Sequence, residues 1–353
     1  MHKPIDKIPL RVESDFPGMW DKLTWEFLGR LKENPVDRKT AWDDFEHIRI
    51  LGEGGFGRVI LSRHKSKNLY VALKIMEKEK IIKMKQIPIV IGEKTILALC
   101  KFQFLLRLYT TFQTNDNICF CLELAPGGDL YGVIKLYSPF DMQAIRFYSS
   151  QVLLGLQYLH TMRIVYRDLK PENILIANNG YIKLADMGFA KFLQDSPRTY
   201  TFCGTPEYIA PEVVLNKGYG TAVDWWAFGV LIYELFFSTT PFYYTDQIKI
   251  FRNIVKGKYK IPHELSIEAK SLIKYLLQID CTKRIGNLRN GALDVRYHPF
   301  FKLIDWTDMM GQLLKPPFPI KNPDYSQMKK DEKIEEMRDK SLTLKYFEEF
   351  KNF

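Results

Sequence analysis

Gly52-Glu53-Gly54-Gly55-Phe56-Gly57 has the spacing G-x-G-x-x-G. Glycines at this spacing let backbone amides approach phosphate oxygens with no side chain between. Taken alone the pattern has two readings. Dinucleotide folds use it between a strand and a helix, and a plain glycine-rich hairpin needs no ligand. Here Arg58-Val59-Ile60-Leu61 follows at once and reads as strand, so the loop joins two strands. The next strand, Val71-Ala72-Leu73-Lys74, carries a lysine, and Glu93 lies beyond it on a helical stretch. A buried lysine is costly unless paired, and Glu93 is the simplest partner. An ammonium held there can bind nucleotide phosphates as a point charge.

The elements that must position these groups can be read from the hydrophobic pattern. Residues 45–76 look like strands, bounded by the glycines of 52–57 and by Lys65-Ser66-Lys67-Asn68. A helix is expected across 86–99, then strands at 107–112 and 117–123. Past Pro126-Gly127-Gly128 the pattern becomes helical. Ser138-Pro139 opens a helix with Ile145, Tyr148, Val152, Leu156 and Leu159 at a period near 3.6. Further helices are expected near 220–237, 246–256 and 266–278. In residues 1–44, Trp20, Trp25, Phe27, Leu28 and Leu31 predict a short amphipathic helix that packs on the rest of the chain. The tail, 301–353, holds Lys315-Pro316-Pro317, a charged stretch at 329–340 and terminal aromatics. The expected class is α+β: a small antiparallel β-sheet lobe, a hinge at 123–128, a larger mainly helical lobe, and a tail.

Composition excludes several other classes. A chain of 353 residues with 46% hydrophobic and 26% charged residues is an ordinary globular one. The net charge of +10 allows nucleic acid or an anionic membrane as partner, but no run of Lys and Arg dominates and no binding motif supports nucleic acid. Five cysteines without a CxxC pair argue against a disulfide framework or zinc site, which favours reduced thiols and a cytoplasmic or nuclear location. The longest apolar run, Phe228 to Phe237, is interrupted by Glu234 and is too short to span a bilayer. Met1-His2-Lys3-Pro4 lacks a signal-peptide pattern, and His2 stands where N-myristoylation needs glycine.

Three more motifs follow in order: Tyr166-Arg167-Asp168-Leu169-Lys170-Pro171-Glu172-Asn173, Asp186-Met187-Gly188 and Ala210-Pro211-Glu212. With the glycine loop, Lys74 and Glu93, they stand in the order and near the spacing of the protein-kinase signature set. From about residue 45 to 300 the chain resembles a protein kinase. Lys170 with Gly204-Thr205-Pro206-Glu207-Tyr208 looks like the serine/threonine branch, and Tyr166 in place of the commoner His narrows it to kinases of the cyclic-nucleotide-dependent, AGC type. Thr201-Phe202-Cys203, Ala222-Val223-Asp224-Trp225-Trp226, Asp280-Cys281-Thr282-Lys283-Arg284 and the terminal Phe350-Lys351-Asn352-Phe353 extend the match. The chain is thereby similar to catalytic subunits of cAMP-dependent protein kinases, as a divergent member.

The resemblance implies a domain at 45–300 (small lobe 45–124, large lobe 125–300), an N-terminal arm at 1–44 and an AGC-type tail at 301–353. It implies transfer of the γ-phosphoryl group of ATP, with Asp168 orienting the acceptor hydroxyl and Lys170 steadying the moving group. Asn173 and Asp186 would supply oxygen ligands to Mg2+. ATP would be bound by Gly52, Gly54, Gly55, Phe56, Gly57, Val59, Ala72, Lys74, Glu93, Glu123, Ala125, Asp129, Glu172 and Asn173. Basic Ser/Thr substrates would be read by Asp129, Glu172 and Glu234, with Glu207 alongside. Phe202, Pro206 and Ile209 would form a pocket for the residue after the acceptor. Thr201, with Arg198 three residues ahead, resembles an activation-loop phosphosite whose phosphate would pair with Arg167 and Lys191. The terminal aromatics would fold into a pocket on the small lobe.

The chain departs from the family at four places. Met187 stands where Phe is usual, and Ile89 where the family has a His that reaches the loop phosphate. The tail lacks a Phe-Asp-Asp-Tyr segment near adenine, for which Tyr325 is a partial substitute. Phe251 replaces a Tyr that docks the cAMP-binding regulatory subunit, leaving inhibition by that subunit open. The alternatives are another AGC kinase not regulated by cAMP, and a pseudokinase scaffold. The presence of Lys74, Asp168, Asn173 and Asp186 argues against the scaffold.

Overall fold

The computed structural model describes residues 18–33, 40–55, 57–193, 196–320, 323–331, 346, 348–351 and 353. Phe56, the first 17 residues, Asn352 and most of the charged stretch 329–340 lie outside them.

Strands β1 (Phe45–Gly54), β2 (Gly57–His64), β3 (Leu69–Glu77), β4 (Leu108–Gln113) and β5 (Asn117–Glu123) form one antiparallel sheet in the order β1-β2-β3-β5-β4. Side chains alternate between its faces. Val71, Leu73, Ile75, Cys119 and Cys121 form a small core with Phe45, Ile60 and Phe112 on one face. Ala72, Met76, Ile118, Phe120 and Leu122 turn to the main core on the other. Lys74 shares the parity of Ala72 and Met76, so it points to the face where the helix bearing Glu93 packs. The single helix expected at 86–99 is α3 (Ile87–Leu99), with Pro88 in its first turn, preceded by the short α2 (Lys78–Lys83).

The first helix, α1 (Met19–Glu33), buries only part of the predicted stripe. Trp20 and Phe27 pack on Phe102 and Phe192. Trp25 is 68% exposed, because it sits about 140° around the helix from Trp20. Leu31 is exposed in the last turn, past the point where Arg30 donates to the Leu99 carbonyl at 2.7 Å.

The large lobe is built on α5 (Met142–Thr161) and α7 (Ala222–Phe237), both apolar nearly all round and therefore central. Around them lie α4 (Leu130–Tyr137), α6 (Pro211–Val214), α8 (Gln247–Lys256), α9 (Ile267–Leu276), α10 (Ala292–Arg296) and α11 (Trp306–Met310). Two small ribbons, β7 (Ile174–Ile176) with β8 (Ile182–Leu184) and β6 (Ile164–Val165) with β9 (Lys191–Phe192), bracket the segments 166–173 and 185–190. Strands this short carry no readable periodicity, so the sequence gives no sign of them.

The tail spans both lobes. Leu314 accepts a 2.6 Å hydrogen bond from the Tyr181 hydroxyl, and Phe318 stacks on Tyr137. Tyr325 then meets Tyr70 of β3, and Lys330 pairs with Glu46 of β1 at 2.8 Å. Phe350 and Phe353 are buried on the small lobe, where Phe353 packs edge-on to Phe120 and its carbonyl accepts from Lys94.

Candidate active site

The glycine loop turns from β1 into β2. Gly57 is fixed by packing, since a Cβ there would stand 1.8 Å from the Ile75 carbonyl oxygen. At Gly52 and Gly55 a Cβ would meet nothing within 4 Å, so these two leave open room beside the backbone. Lys74 lies opposite Val59 on β2 and Phe120 on β5. Its Nζ is 2.7 Å from Glu93 Oε1, with Glu93 only 4% exposed and Lys74 24%. Burial acts to lower the Lys74 pKa, but the Glu93 and Asp186 charges overcome it and leave the group above its ordinary value.

The segment after β6 is clamped from below. Asp224, buried in the first turn of α7, accepts the backbone N–H of Tyr166 (2.9 Å) and of Arg167 (2.8 Å) and pairs with His160. These bonds hold Arg167 at φ 71°, a left-handed conformation that a non-glycine residue adopts only when its surroundings impose it. Asp168 follows, almost fully buried. Asn173 Nδ2 donates to its Oδ2 at 2.7 Å, Thr205 Oγ1 to its Oδ1 at 3.0 Å, and Lys170 Nζ lies 3.1 Å from its Oδ2. Lys170 also donates to Thr205 Oγ1 at 3.1 Å.

Asp186 likewise has a positive φ, 51°, and its Oδ1 accepts the Gly188 N–H at 3.2 Å. The buried Tyr166 hydroxyl donates to the Ala185 carbonyl, joining the Asp168 segment to the Asp186 segment. Burial, and then the charges of Asp186, Asp168 and Asp224, raise the Tyr166 pKa well above its ordinary value, so the phenol stays a donor. Asn173 uses its amide nitrogen on Asp168, and among the described residues neither its Oδ1 nor Asp186 Oδ2 accepts a hydrogen bond. Two such hard oxygens suit Mg2+, which usually takes one or two protein oxygens besides phosphates and water.

A second cluster lies beside this one. Glu234 on α7 is buried, accepts from the Tyr208 hydroxyl, and feels the charges of Glu172 and Glu207. Glu207 accepts from Thr240. Asp129 caps α4, taking the Gly132 N–H at 2.8 Å, and α4 packs on the turn that holds Glu172. The Glu123 carboxylate is committed to Lys183 (2.9 Å) and the Arg107 N–H (3.3 Å). Glu123 ends β5, and Ala125 follows in the link to α4. In the loop that carries Thr205, Phe202 is 57% exposed and meets Phe251 of α8 edge-on, Pro206 is half-buried, and Ile209 is buried.

A family model described as the protein kinase domain matches residues 45–301. The chain belongs to the protein kinase family. It is 43% identical over 274 residues to the cAMP-dependent protein kinase catalytic subunit PRKX of Homo sapiens, covering 78% of this chain and 76% of that protein. It is 40% identical over 288 residues to cAMP-dependent protein kinase type 3 of Saccharomyces cerevisiae, covering 82% and 72%. With the corresponding PRKX of Mus musculus the match is 41% over 313 residues, 88% of each chain. These similarities group the kinase with the serine/threonine kinases of the cAMP-dependent type.

In this kinase Thr201 is exposed, and its carbonyl accepts the Tyr219 hydroxyl at 2.5 Å. Arg167 donates to Tyr219 (3.3 Å) and to the Phe189 carbonyl (2.5 Å), while Lys191 donates to Thr199 Oγ1 (3.1 Å). Thr205 and Asp224, which hold Asp168 and Arg167, have no role readable from the sequence, although both stand inside its motifs. The available signal was a hydroxyl and a carboxylate amid glycine, proline and tryptophan.

Proposed function

We propose that the kinase transfers the γ-phosphoryl group of ATP to Ser or Thr in segments preceded by arginine. The observation that carries this reading is the threefold anchoring of the Asp168 carboxylate by Asn173, Thr205 and Lys170. A carboxylate so held keeps one orientation toward an incoming hydroxyl, which suits a chemistry that is mostly positioning and charge neutralisation. Asp168 would accept or orient the hydroxyl proton, and Lys170 would steady the phosphoryl oxygens. Lys74, fixed by Glu93, would hold the nucleotide phosphates under the amides of Gly52, Gly54, Gly55 and Gly57. Val59 and Ala72 would border the nucleotide, with the main chain of Glu123 and Ala125 at the hinge; Phe56 lies outside the described residues. Mg2+, held by Asn173 and Asp186, would neutralise phosphate charge when bound.

Glu172, Glu207 and Glu234 supply the acidic cluster that arginine needs, and Asp129 adds a carboxylate on the hinge side. Phe202 and Pro206, with Ile209 beneath, offer an apolar seat for the residue after the acceptor. Similarity to cAMP-dependent kinases makes a cAMP-binding regulatory subunit the natural partner. Five cysteines, in no disulfide among the described residues and three of them buried, fit a reducing compartment, cytoplasmic or nuclear. Among the described residues no helix is long and apolar enough to cross a membrane. The test is a peptide panel with Mg2+-ATP in which single arginines are moved through the positions before Ser. Turnover should peak with arginine two and three residues before the acceptor. Equal turnover at every position would refute the arginine reading.

A further inference from the structure

A surface groove of about 1180 Å3 contains none of the residues expected to bind ATP, Mg2+ or substrate. It is lined by the turn after α5, with His160 and Arg163, by Arg198, by the turn at Lys217, and by residues of the segment 279–287. Arg163, Arg198 and Lys217 are exposed, and none has an ion-pair partner among the described residues. The two acids of the lining are already matched. Glu212 is paired with the buried Arg284, and Asp280 accepts the Thr282 N–H at 3.0 Å and its hydroxyl at 2.7 Å. The groove therefore keeps an excess of positive charge. Leu215 and Ile279 also line it, 42% and 44% exposed, so it offers apolar surface as well as cations.

Arg163 stands there against its own backbone preference. Its φ is 57°, a left-handed conformation that glycine adopts freely and arginine rarely. Its N–H donates to the His160 carbonyl (3.0 Å) and its carbonyl accepts the Leu193 N–H (2.8 Å), which fixes the turn. Its side chain has no hydrogen bond or ion pair among the described residues. The fold thus needs the turn but not the guanidinium that lines the groove. Small-molecule sites run to roughly 300–1,000 Å3, so this groove has room for several residues of polypeptide. A concave surface also suits an extended chain better than the plane of a membrane. We infer that the groove docks an acidic segment of a partner protein, in which carboxylates flank a bulky apolar side chain. The carboxylates would pair with Arg163, Arg198 and Lys217, and the apolar side chain would cover Leu215 and Ile279. The occupant would lie close to the catalytic segment. His160 pairs with Asp224, which holds the N–H groups of Tyr166 and Arg167, and Tyr219 of the lining meets both Arg167 and the Thr201 carbonyl. The inference does not depend on which substrate sequence the cleft reads.

The test uses the full chain and three fluorescent peptides, each with a central Leu flanked on both sides by Glu, by Gln or by Lys. None carries Ser or Thr, and binding is read by anisotropy. The wild type should bind the Glu peptide about tenfold more tightly than the Gln peptide at low salt. Added salt should erase most of that gain. Arg163→Gly should weaken Glu-peptide binding about fivefold, while its thermal midpoint does not fall, because glycine keeps the turn. Arg163→Glu/Lys217→Glu should reverse the order and favour the Lys peptide. Arg252→Glu/Lys256→Glu changes the net charge equally on exposed positions of α8 outside the groove, and should bind the Glu peptide as the wild type does. Equal binding of the Glu and Gln peptides by the wild type overturns the inference. So does a preference for Glu that survives both groove variants, or one that the α8 variant loses equally. Binding to phosphatidylserine vesicles that needs Arg163 and Lys217, with no preference among the peptides, would also overturn it.

Discussion

The phenolic hydroxyl of Tyr208 donates to the buried carboxylate of Glu234. Burial first, and then repulsion from Glu172 and Glu207, lift the Glu234 pKa from 4.5 to about 7 against the pull of that hydrogen bond. Glu234 thus passes from mostly neutral to mostly charged across neutral pH. The KM for a peptide with arginine two residues before the acceptor should fall as pH rises from about 6 to about 8. A peptide without arginine should lack this dependence, and Glu234→Gln should abolish it. Equal pH profiles for both peptides would contradict the assignment. The stability sign is opposite. Between 4.5 and about 7 the folded chain binds more protons than the unfolded one, so the stability from this group is present at low pH and lost as pH rises through 7.

Arg284 is fully buried and meets Glu212 through two hydrogen bonds, of 2.6 and 2.9 Å, while also donating to the Ala222 carbonyl. Arg284→Leu leaves a buried carboxylate unpaired, which should cost about 3–5 kcal/mol. The denaturation midpoint measures this, and Arg284→Leu/Glu212→Leu should recover part of the loss. A single variant as stable as wild type would show that Glu212 finds another partner.

Much of this arrangement is legible in the chain because motif and periodicity agree. The parity of Lys74 with Ala72 and Met76 already sends it to the face where Glu93 lies. What escapes the sequence depends on contacts between distant segments. Thr205 is 37 residues from Asp168 and Asp224 is 57 from Arg167, so no local pattern reveals either bond. Trp25 fails as a core residue for a different reason, since spacing shows only that a helix has two sides.

Met187 is 1% exposed and lies in the main core beside the Asp186 turn. A similar apolar volume should serve there, so Met187→Phe should keep or raise activity and change stability by less than about 1.5 kcal/mol. Thermal denaturation and peptide turnover check this. Collapse of activity would mean that the site is shaped for the unbranched side chain.

Phosphorylation of Thr201 would add about −2 charge to a residue whose carbonyl already meets Tyr219, the hydroxyl to which Arg167 donates. On the small lobe Ile89 offers no donor, and it stands close to Gly188, where a Cβ would lie 4.0 Å from its Cγ2. The phosphate should therefore organise the acceptor side more than the Lys74–Glu93 pair. Thr201→Ala should lower peptide turnover and leave ATP affinity nearly unchanged. A large loss of ATP binding with normal turnover at saturating ATP would overturn this account.

The central claim is that the anchored Asp168 carboxylate serves phosphoryl transfer to an arginine-preceded hydroxyl. The most direct measurement is single-turnover transfer from labelled ATP, with saturating Mg2+, to an Arg-Arg-x-Ser peptide by wild type and Asp168→Asn. The amide keeps the size of the side chain but cannot take a proton. ATP binding should be equal in the two proteins, while transfer by the variant should fall at least about hundredfold. Equal transfer rates, or no transfer by the wild type above the variant's background, would contradict the claim.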